Sequence, residues 1–149
     1  MIKMNEDPNC IFCKIVRKEA FAAVLYEDDD VMAIMDIQPI NEGHALIIPK
    51  KHAVLVEEME EELYLKLFPV ARNIAALIKE KIPETTAINY FIADGEDAGQ
   101  EVFHVHLHVI PRKPNDGFKF VFDEEYYNRI LSEKEREEVK NKLLNDITK

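Results

Sequence analysis

The sequence lacks features that whole classes of protein require. It has no run of about 18 uninterrupted apolar residues, and Met1–Asn9 carries acidic residues instead of an apolar core, so we expect neither a membrane span nor a secretory leader. Basic residues are outnumbered, 19 to 29, and the formal net charge of -10 argues against attraction to nucleic acid or anionic lipid. These absences favour a cytoplasmic protein without a nucleic-acid or membrane partner.

Cysteine is scarce, and the only two cysteines form the motif Cys10-x-x-Cys13. In a chain without a leader, such a pair is more often half of a metal site or a redox pair than a structural disulfide. The motif precedes the first predicted strand, which is not the setting of a thioredoxin-like motif. A structural zinc site needs four N or S ligands, and because no further cysteine exists, histidines would have to complete it.

Glycine is also rare, with four residues, and the sequence has neither a G-x-S-x-G motif nor a P-loop. Histidine is a competent nucleophile toward phosphorus, and a second imidazole can protonate the departing group. Three of the glycines, Gly43, Gly95 and Gly99, lie in loops that precede histidine-bearing segments. Backbone amides in such loops can receive phosphate oxygens, although a plain tight turn explains the glycines equally well.

The five histidines fall in three short segments of the sequence. His104, His106 and His108 occupy alternate positions, so in an extended strand they share one face. Apolar residues fill the other face: Val105, Leu107 and Val109. At ~3.3 Å rise per residue the outer two Cα atoms lie ~13 Å apart, which is too far for all three rings to ligate one metal ion with ease. We therefore expect different roles for the three side chains.

Hydrophobic patterning predicts five strands. These are expected at Ala22–Glu27, Val31–Asp36, His44–Pro49, Ile88–Ala93 and His104–Ile110. The acidic turn at residues 28–30 joins the first two strands into a hairpin. His44 and His52 bracket the third strand.

Two helices are predicted as well. Apolar residues three or four apart predict an amphipathic helix over Glu57–Ile82, with a kink at Pro69 because proline removes a backbone donor. Ser132 and Glu135 form a capping box that begins a last helix, which we expect to run through Ile147.

These segments together resemble the histidine-triad (HIT) family, whose signature is His-x-His-x-His followed by apolar residues. The matching segments are His104–Ile110, Asp36–Pro39, Gly43–His52, Ala98–Phe103 and the motif that begins at Cys10. The resemblance extends from Cys10 to about Arg112, roughly two thirds of the chain. A chance combination of so many motifs is very improbable.

The resemblance implies an α+β fold: an antiparallel five-stranded sheet with one long helix. It also implies a homodimer in which the sheets of two copies become continuous. We expect a single HIT-like domain over residues 1–149, with a core at about 10–112 and a C-terminal extension at about 113–149.

The activity implied by the resemblance is cleavage at the α-phosphorus of a purine nucleotide substrate, either a nucleoside phosphoramidate or a dinucleoside polyphosphate. His106 attacks phosphorus in that scheme and forms a nucleotidyl-histidine intermediate, which water hydrolyses. His108 assists the leaving group, and His44 completes the histidine cluster around the phosphate.

The same resemblance assigns binding residues. Asp36 matches a carboxylate that hydrogen-bonds ribose hydroxyls, Gln100 matches a polar residue beside the phosphate, and Ile37 and Gly99 join the nucleotide-binding set. Zinc is the implied structural cofactor. Its implied ligands are Cys10, Cys13, His52 and His104.

Two positions depart from the family pattern. Ala93 stands where relatives commonly have an amide side chain, and Glu101 where they have a hydroxyl, which affects substrate affinity more than mechanism. Because His108 is present where nucleotidyl-transferring relatives have glutamine, hydrolysis is favoured over transfer. The alternative is a nucleotide-binding regulatory protein with a structural zinc site and little turnover.

Overall fold

The structure is a computed structural model, and it describes residues 7–145. Three helices and five strands follow one another along the chain: α1 (Ile11–Val16), β1 (Val24–Glu27), β2 (Val31–Met35), β3 (Ala45–Pro49), α2 (Glu61–Lys81), β4 (Ala87–Phe91), β5 (Leu107–Arg112) and α3 (Glu133–Asn145). The predictions for residues 1–6 and for a helix end at Ile147 lie outside the described residues.

The strands form one antiparallel sheet in the order β1-β2-β3-β5-β4. The hairpin between β1 and β2 is closed by Asp28, whose Oδ1 accepts hydrogen bonds from the backbone amides of Asp30 and Val31, each at 2.8 Å. Such an Asx-type turn is what a short acidic segment favours. The α+β class and the five antiparallel strands are confirmed.

Each face of the sheet packs against a different helix. Val31, Ala33 and Ile47 belong to a buried cluster with the apolar side of α2. Their sequence neighbours Met32 and Ile34 belong to a second cluster with α1. This alternation is the period of two that a strand imposes. Helix α1, which the sequence analysis did not predict, therefore covers the face opposite α2.

Helix α2 begins later than predicted. The carboxylate of Glu58 accepts hydrogen bonds from the amides of Val54 and Leu55, which closes a separate turn at Val56–Glu58, and Met59 and Glu60 are then extended. The helix continues through Pro69 without a break. The kink at Pro69 stays a prediction. The buried stripe of the helix consists of Leu67, Ala71, Ile74, Ala75 and Ile78.

The histidine-bearing strand also begins later than predicted. Strand β5 starts at Leu107, because the amide of Val105 donates to the carbonyl of Ala53 at 2.8 Å and not to a neighbouring strand. The expected alternation nevertheless holds, since Val105, Leu107 and Val109 all lie in the cluster with α2. The other strand ends differ from the predicted ends by at most two residues.

The chain divides into two compact units, one ending at Gly117 and the other beginning at Phe118. In the second unit, the predicted capping box is present: the amide and hydroxyl of Ser132 donate to the Glu135 carboxylate, and the amide of Glu135 donates to the Ser132 hydroxyl. The single-domain expectation stays a prediction. Within residues 7–145, no helix has both the length and the apolar composition needed to cross a bilayer.

Candidate functional site

Four candidate zinc ligands converge beside α1. Cys10 is the N-cap of this helix and Cys13 lies one turn further, which points both thiols in one direction. His52 follows β3 and His104 precedes β5. The Sγ atom of Cys13 lies 3.3 Å from Nδ1 of His52, Sγ of Cys10 lies 3.4 Å from Nδ1 of His104, and the two Nδ1 atoms are 3.2 Å apart.

These distances fit a tetrahedral zinc ion. Zn–S and Zn–N bond lengths place an S and an N ligand about 3.5 Å apart and two N ligands about 3.3 Å apart. The far nitrogen of His104, Nε2, donates to the carbonyl of Pro49 at 2.8 Å, so Nδ1 keeps its lone pair for a metal. A backbone acceptor at the far nitrogen is typical of metal-binding histidine. The four residues therefore suit zinc.

The protonation states of Cys13 and His104 also favour the binding of a metal cation. Burial raises the pKa of the Cys13 thiol to about 11, so without a positive charge beside it this thiol stays protonated at neutral pH. Burial lowers the pKa of His104 to about 4, which keeps its imidazole neutral. A metal ion needs the neutral imidazole and stabilises the thiolate.

His106 has one ring nitrogen directed by the backbone. Its Nδ1 lies 2.7 Å from the carbonyl oxygen of His104, and because a carbonyl only accepts, Nδ1 carries the proton. The lone pair is therefore on Nε2. The buried ring of Phe12 contacts the imidazole edge-on, with centroids 5.1 Å apart. Burial lowers the pKa of His106, so the ring is neutral and nucleophilic at neutral pH.

His44 and His108 form a pair beside Asp36. Nε2 of His44 lies 2.9 Å from Nδ1 of His108, and Oδ2 of Asp36 lies 3.4 Å from the first atom and 3.9 Å from the second. The rings of His108 and His106 are neighbours, with centroids 4.9 Å apart. The structure thus brings together the three predicted catalytic histidines and Asp36.

The remaining predicted binding residues lie in two loops. Ile37 is fully exposed next to Asp36. Gln100 is buried, its side-chain oxygen accepts from the amide of Gly95, and its side-chain nitrogen donates to the carbonyl of Val54. One N–H of this amide group is left for a ligand. Gly99 has a φ of 88°, and its amide donates to the Glu96 carbonyl within the loop.

Sequence reasoning missed three participants. Phe12 lies between the two cysteines and contacts the rings of both His104 and His106, and its position inside the C-x-x-C motif was the available signal. The carbonyl of Pro49 and the amide of Ile40, which donates to Nδ1 of His44 at 3.1 Å, are main-chain atoms. Contacts of main-chain atoms cannot be predicted from the residue type.

Comparison with known sequences identifies one matching domain. Residues 17–115 match the sequence model of the HIT domain. Among curated relatives, the chain is 43% identical to "Protein hit" of Bacillus subtilis over 115 residues, 76% of this chain and 79% of the relative.

Two further relatives have named activities. The chain is 39% identical to adenosine 5'-monophosphoramidase HNT1 of Saccharomyces cerevisiae over 107 residues, 72% of this chain and 65% of the relative. It is also 39% identical to adenylylsulfatase HINT3 of Arabidopsis thaliana over 108 residues, 72% of this chain and 54% of the relative.

Solved structures share the fold. A HIT family protein from Bacillus anthracis superposes with a TM-score of 0.84 at 35% identity, covering 95% of this chain and 99% of that one. A Zn-bound histidine triad family protein from Mycobacterium smegmatis gives a TM-score of 0.71 at 39% identity, covering 78% and 84%. By sequence and by fold, the chain belongs to the HIT domain family.

Proposed function

We propose that this protein is a nucleotide hydrolase that cleaves its substrate at the α-phosphorus through a nucleotidyl-histidine intermediate. The observation that carries the proposal is the 2.7 Å contact between Nδ1 of His106 and the carbonyl oxygen of His104. It leaves the Nε2 lone pair available and provides an acceptor for the Nδ1–H when the ring becomes positively charged.

The reaction has two displacements. Nε2 of His106 forms a bond to phosphorus while the bond to the leaving group breaks and its electron pair goes to that group. The ring is then cationic, and its Nδ1–H still donates to the His104 carbonyl. Water next attacks phosphorus and gives a proton to solvent while the bond between phosphorus and Nε2 breaks. The electron pair of that bond returns to Nε2, so His106 becomes neutral again and the nucleoside monophosphate is released.

Zinc supplies structural support in this proposal. When bound by Cys10, Cys13, His52 and His104, it fixes His104, and the carbonyl of the same residue orients His106. The Zn-bound relative supports this cofactor. Removal of the metal is therefore expected to affect the nucleophile through one shared residue.

The nucleotide is proposed to lie against Asp36 and Ile37, with its phosphate near Gln100 and Gly99. The Asp36 carboxylate is 15% exposed and its Oδ1 accepts from the amide of Gln38, so part of it remains open to ribose hydroxyls. The names of two relatives, an adenosine monophosphoramidase and an adenylylsulfatase, support an adenine nucleotide.

A homodimer is part of the proposal. Strand β4 is an edge of the sheet, it carries no charged residue, and its Tyr90 and Phe91 are exposed. The ring of Phe68 on α2 lies 5.0 Å from that of Tyr90 and extends this apolar surface. The other edge, β1, is lined by ion pairs of Glu27 and is less suited to pairing. Sedimentation equilibrium tests this assignment, and a strictly monomeric protein contradicts it.

A binding protein with little turnover is the second candidate. Ala93 is buried and apolar at a position where relatives commonly have an amide, so it offers the phosphate no hydrogen bond. Nucleotide binding without any product would favour this alternative.

The test incubates the zinc-loaded protein with adenosine 5'-monophosphoramidate and, separately, with diadenosine tetraphosphate. We expect turnover of at least one substrate and an acid-labile nucleotide attached to the chain by mass spectrometry. His106→Asn is expected to lose turnover and the adduct while it keeps nucleotide binding. Lys79→Gln, on the exposed side of α2, is the control. Absence of product and adduct with both substrates would overturn the hydrolase proposal.

A further inference from the structure

The backbone amide of Ile40 determines which nitrogen of His44 carries the proton. It donates to Nδ1 of His44 at 3.1 Å, so Nδ1 must present its lone pair. The proton of the neutral ring is therefore on Nε2. His44 is 2% exposed, so water does not provide an alternative partner for either nitrogen.

The proton of His44 in turn determines that of His108. Nε2 of His44 lies 2.9 Å from Nδ1 of His108, and because Nε2 donates, Nδ1 of His108 must accept. His108 therefore carries its proton on Nε2, the nitrogen away from His44. Two successive hydrogen bonds thus fix the tautomer of a ring that is 19% exposed and open to a ligand.

The same contacts argue against a second metal site. Asp36, His44 and His108 present ligand-type atoms within 4.8 Å of one another. A metal-bound imidazole holds its proton on the far nitrogen and donates it to an acceptor. The far nitrogen of His44 instead faces a donor, the amide of Ile40. Metal binding at Nε2 of His44 would set two N–H groups against each other.

We infer that His44 is a positioning residue that holds His108 as an uncharged hydrogen-bond donor toward the departing group. This inference rests on the proposed function, because it concerns the first displacement. The bond from phosphorus to the leaving group breaks, its electron pair goes to that group, and Nε2–H of His108 stabilises the new negative charge. The proton stays on His108. Leaving groups that are stable as anions, such as phosphate or sulfate, are therefore favoured.

The charged groups around the pair agree with this assignment. Burial, followed by the neighbouring His106 and His44, lowers the pKa of His108 to about 4, and only Asp36 opposes this. Burial also lowers the pKa of His44, again against Asp36. A second proton on His108 would have to go on Nδ1, where it would face the N–H of His44.

Backbone hydrogen bonds hold the loop that carries Ile40. The amide of Asp36 donates to the carbonyl of His44 at 3.0 Å, and the amide of His44 donates to the carbonyl of Asn41 at 3.1 Å. Gly43 has a φ of 93°, and a Cβ at this position would lie 2.7 Å from Cδ1 of Ile82. The positive φ favours glycine at this position, and a Cβ there would require the end of the Ile82 side chain to move.

Imidazole NMR tests the tautomer without any substrate. Long-range ¹H–¹⁵N spectra of the zinc-loaded protein are expected to show His108 as the Nε2–H tautomer at neutral pH. His44→Leu removes the donor, so we expect a mixture of His108 tautomers and a higher pKa. His44→Gln keeps an amide N–H in reach and is expected to restore the wild-type spectrum. An Nδ1–H tautomer in the wild type, or no change in His44→Leu, would overturn the inference.

The leaving-group dependence tests the chemical role. Adduct formation is measured with adenosine 5'-phosphate esters of nitrophenol, chlorophenol and phenol. If His108 acts as an uncharged donor, the rate of adduct formation falls steeply as the phenol becomes more basic. We expect His44→Leu to lower this rate further and His44→Gln to restore it. A flat dependence would show full proton transfer and contradict the inference. If the esters, adenosine 5'-monophosphoramidate and diadenosine tetraphosphate all give no adduct and no product, the proposed function fails, and the NMR result still decides the tautomer.

Discussion

Two clusters of candidate metal ligands lie near one another in this protein, and each contains two histidines. One holds Cys10, Cys13, His52 and His104, and the other holds Asp36, His44 and His108; within each, the candidate ligand atoms lie within 4.8 Å of one another. The two clusters differ in what contacts the histidine ring nitrogen that points away from the other ligand-type atoms. In His104 that nitrogen donates to the carbonyl of Pro49, whereas in His44 it accepts from the amide of Ile40.

The difference shows that ligand type and proximity do not define a metal site. When a backbone carbonyl accepts from the outer ring nitrogen, the nitrogen that faces the cluster keeps a lone pair for a metal. When a backbone amide donates to the outer nitrogen, the nitrogen that faces the cluster carries a proton and can donate a hydrogen bond. The first cluster is therefore suited to zinc and the second to hydrogen bonding with a substrate. Three predictions follow this contrast, beginning with the largest effect.

Removal of one thiol is expected to abolish the first cluster. Cys13→Ala leaves three ligands, so we expect the zinc content to fall from about one ion per chain to near zero and the free energy of unfolding to fall by several kcal/mol. Zinc is measured by plasma mass spectrometry of the dialysed protein, and stability by urea denaturation. Turnover is expected to fall as well, because the carbonyl of His104 orients His106.

Asp36→Asn is the matched control for this experiment, because it removes a charge from the second cluster only. It is expected to retain the full zinc content. Loss of zinc in Asp36→Asn, or full zinc content and stability in Cys13→Ala, would contradict the assignment of the two clusters.

The second cluster is expected to make stability depend on pH. The pKa of His108 is about 4 in the folded protein and about 6.5 in an unfolded chain. The unfolded state therefore binds more protons as the pH falls through this window, and the folded state loses stability there. At about pH 5, His108 is expected to lower the free energy of unfolding by about 2 kcal/mol relative to neutral pH.

His108→Gln measures this contribution. Urea denaturation at neutral pH and at about pH 5 is expected to show a smaller acid-induced loss for the variant than for the wild type. Equal losses in the two proteins would mean that His108 is not held neutral by its surroundings.

The smallest expected effect concerns Phe12, which contacts both the zinc-ligand candidate His104 and the proposed nucleophile His106. Its ring lies edge-on to His104 and to His106, with centroid distances of 5.7 and 5.1 Å. Phe12→Leu keeps an apolar side chain and loses the aromatic contacts, so we expect a destabilisation of about 1 kcal/mol with unchanged zinc content. Thermal denaturation of the zinc-loaded protein checks this, and a loss of zinc would show that Phe12 supports the ligands directly.

The sequence pattern was sufficient for most of the sheet. Alternating side chains placed the histidines at 104, 106 and 108 opposite an apolar face, and the acidic turn placed the first hairpin, because both features depend on neighbouring residues alone. Helix α1 was missed because it has only six residues, too few for a helical period to be visible.

Family resemblance predicted which residues lie together in the two clusters, but it did not predict which ring nitrogens carry protons. The tautomers of His44 and His104 depend on Ile40 and Pro49, and the second of these partners is 55 residues away in the sequence. The start of β5 was misplaced for a similar reason, because the amide of Val105 bonds to the remote carbonyl of Ala53. Local patterns do not contain contacts of this kind.

The hydrogen bonds from His104 to Pro49, from His106 to His104 and from Ile40 to His44 all involve main-chain atoms. Substitution of a side chain at position 49 leaves its carbonyl in place, and at position 40 only proline deletes the amide. Alanine scanning therefore cannot reveal these main-chain hydrogen bonds. Replacement of single peptide bonds by esters can change which ring nitrogen of a histidine carries the proton while every side chain remains the same.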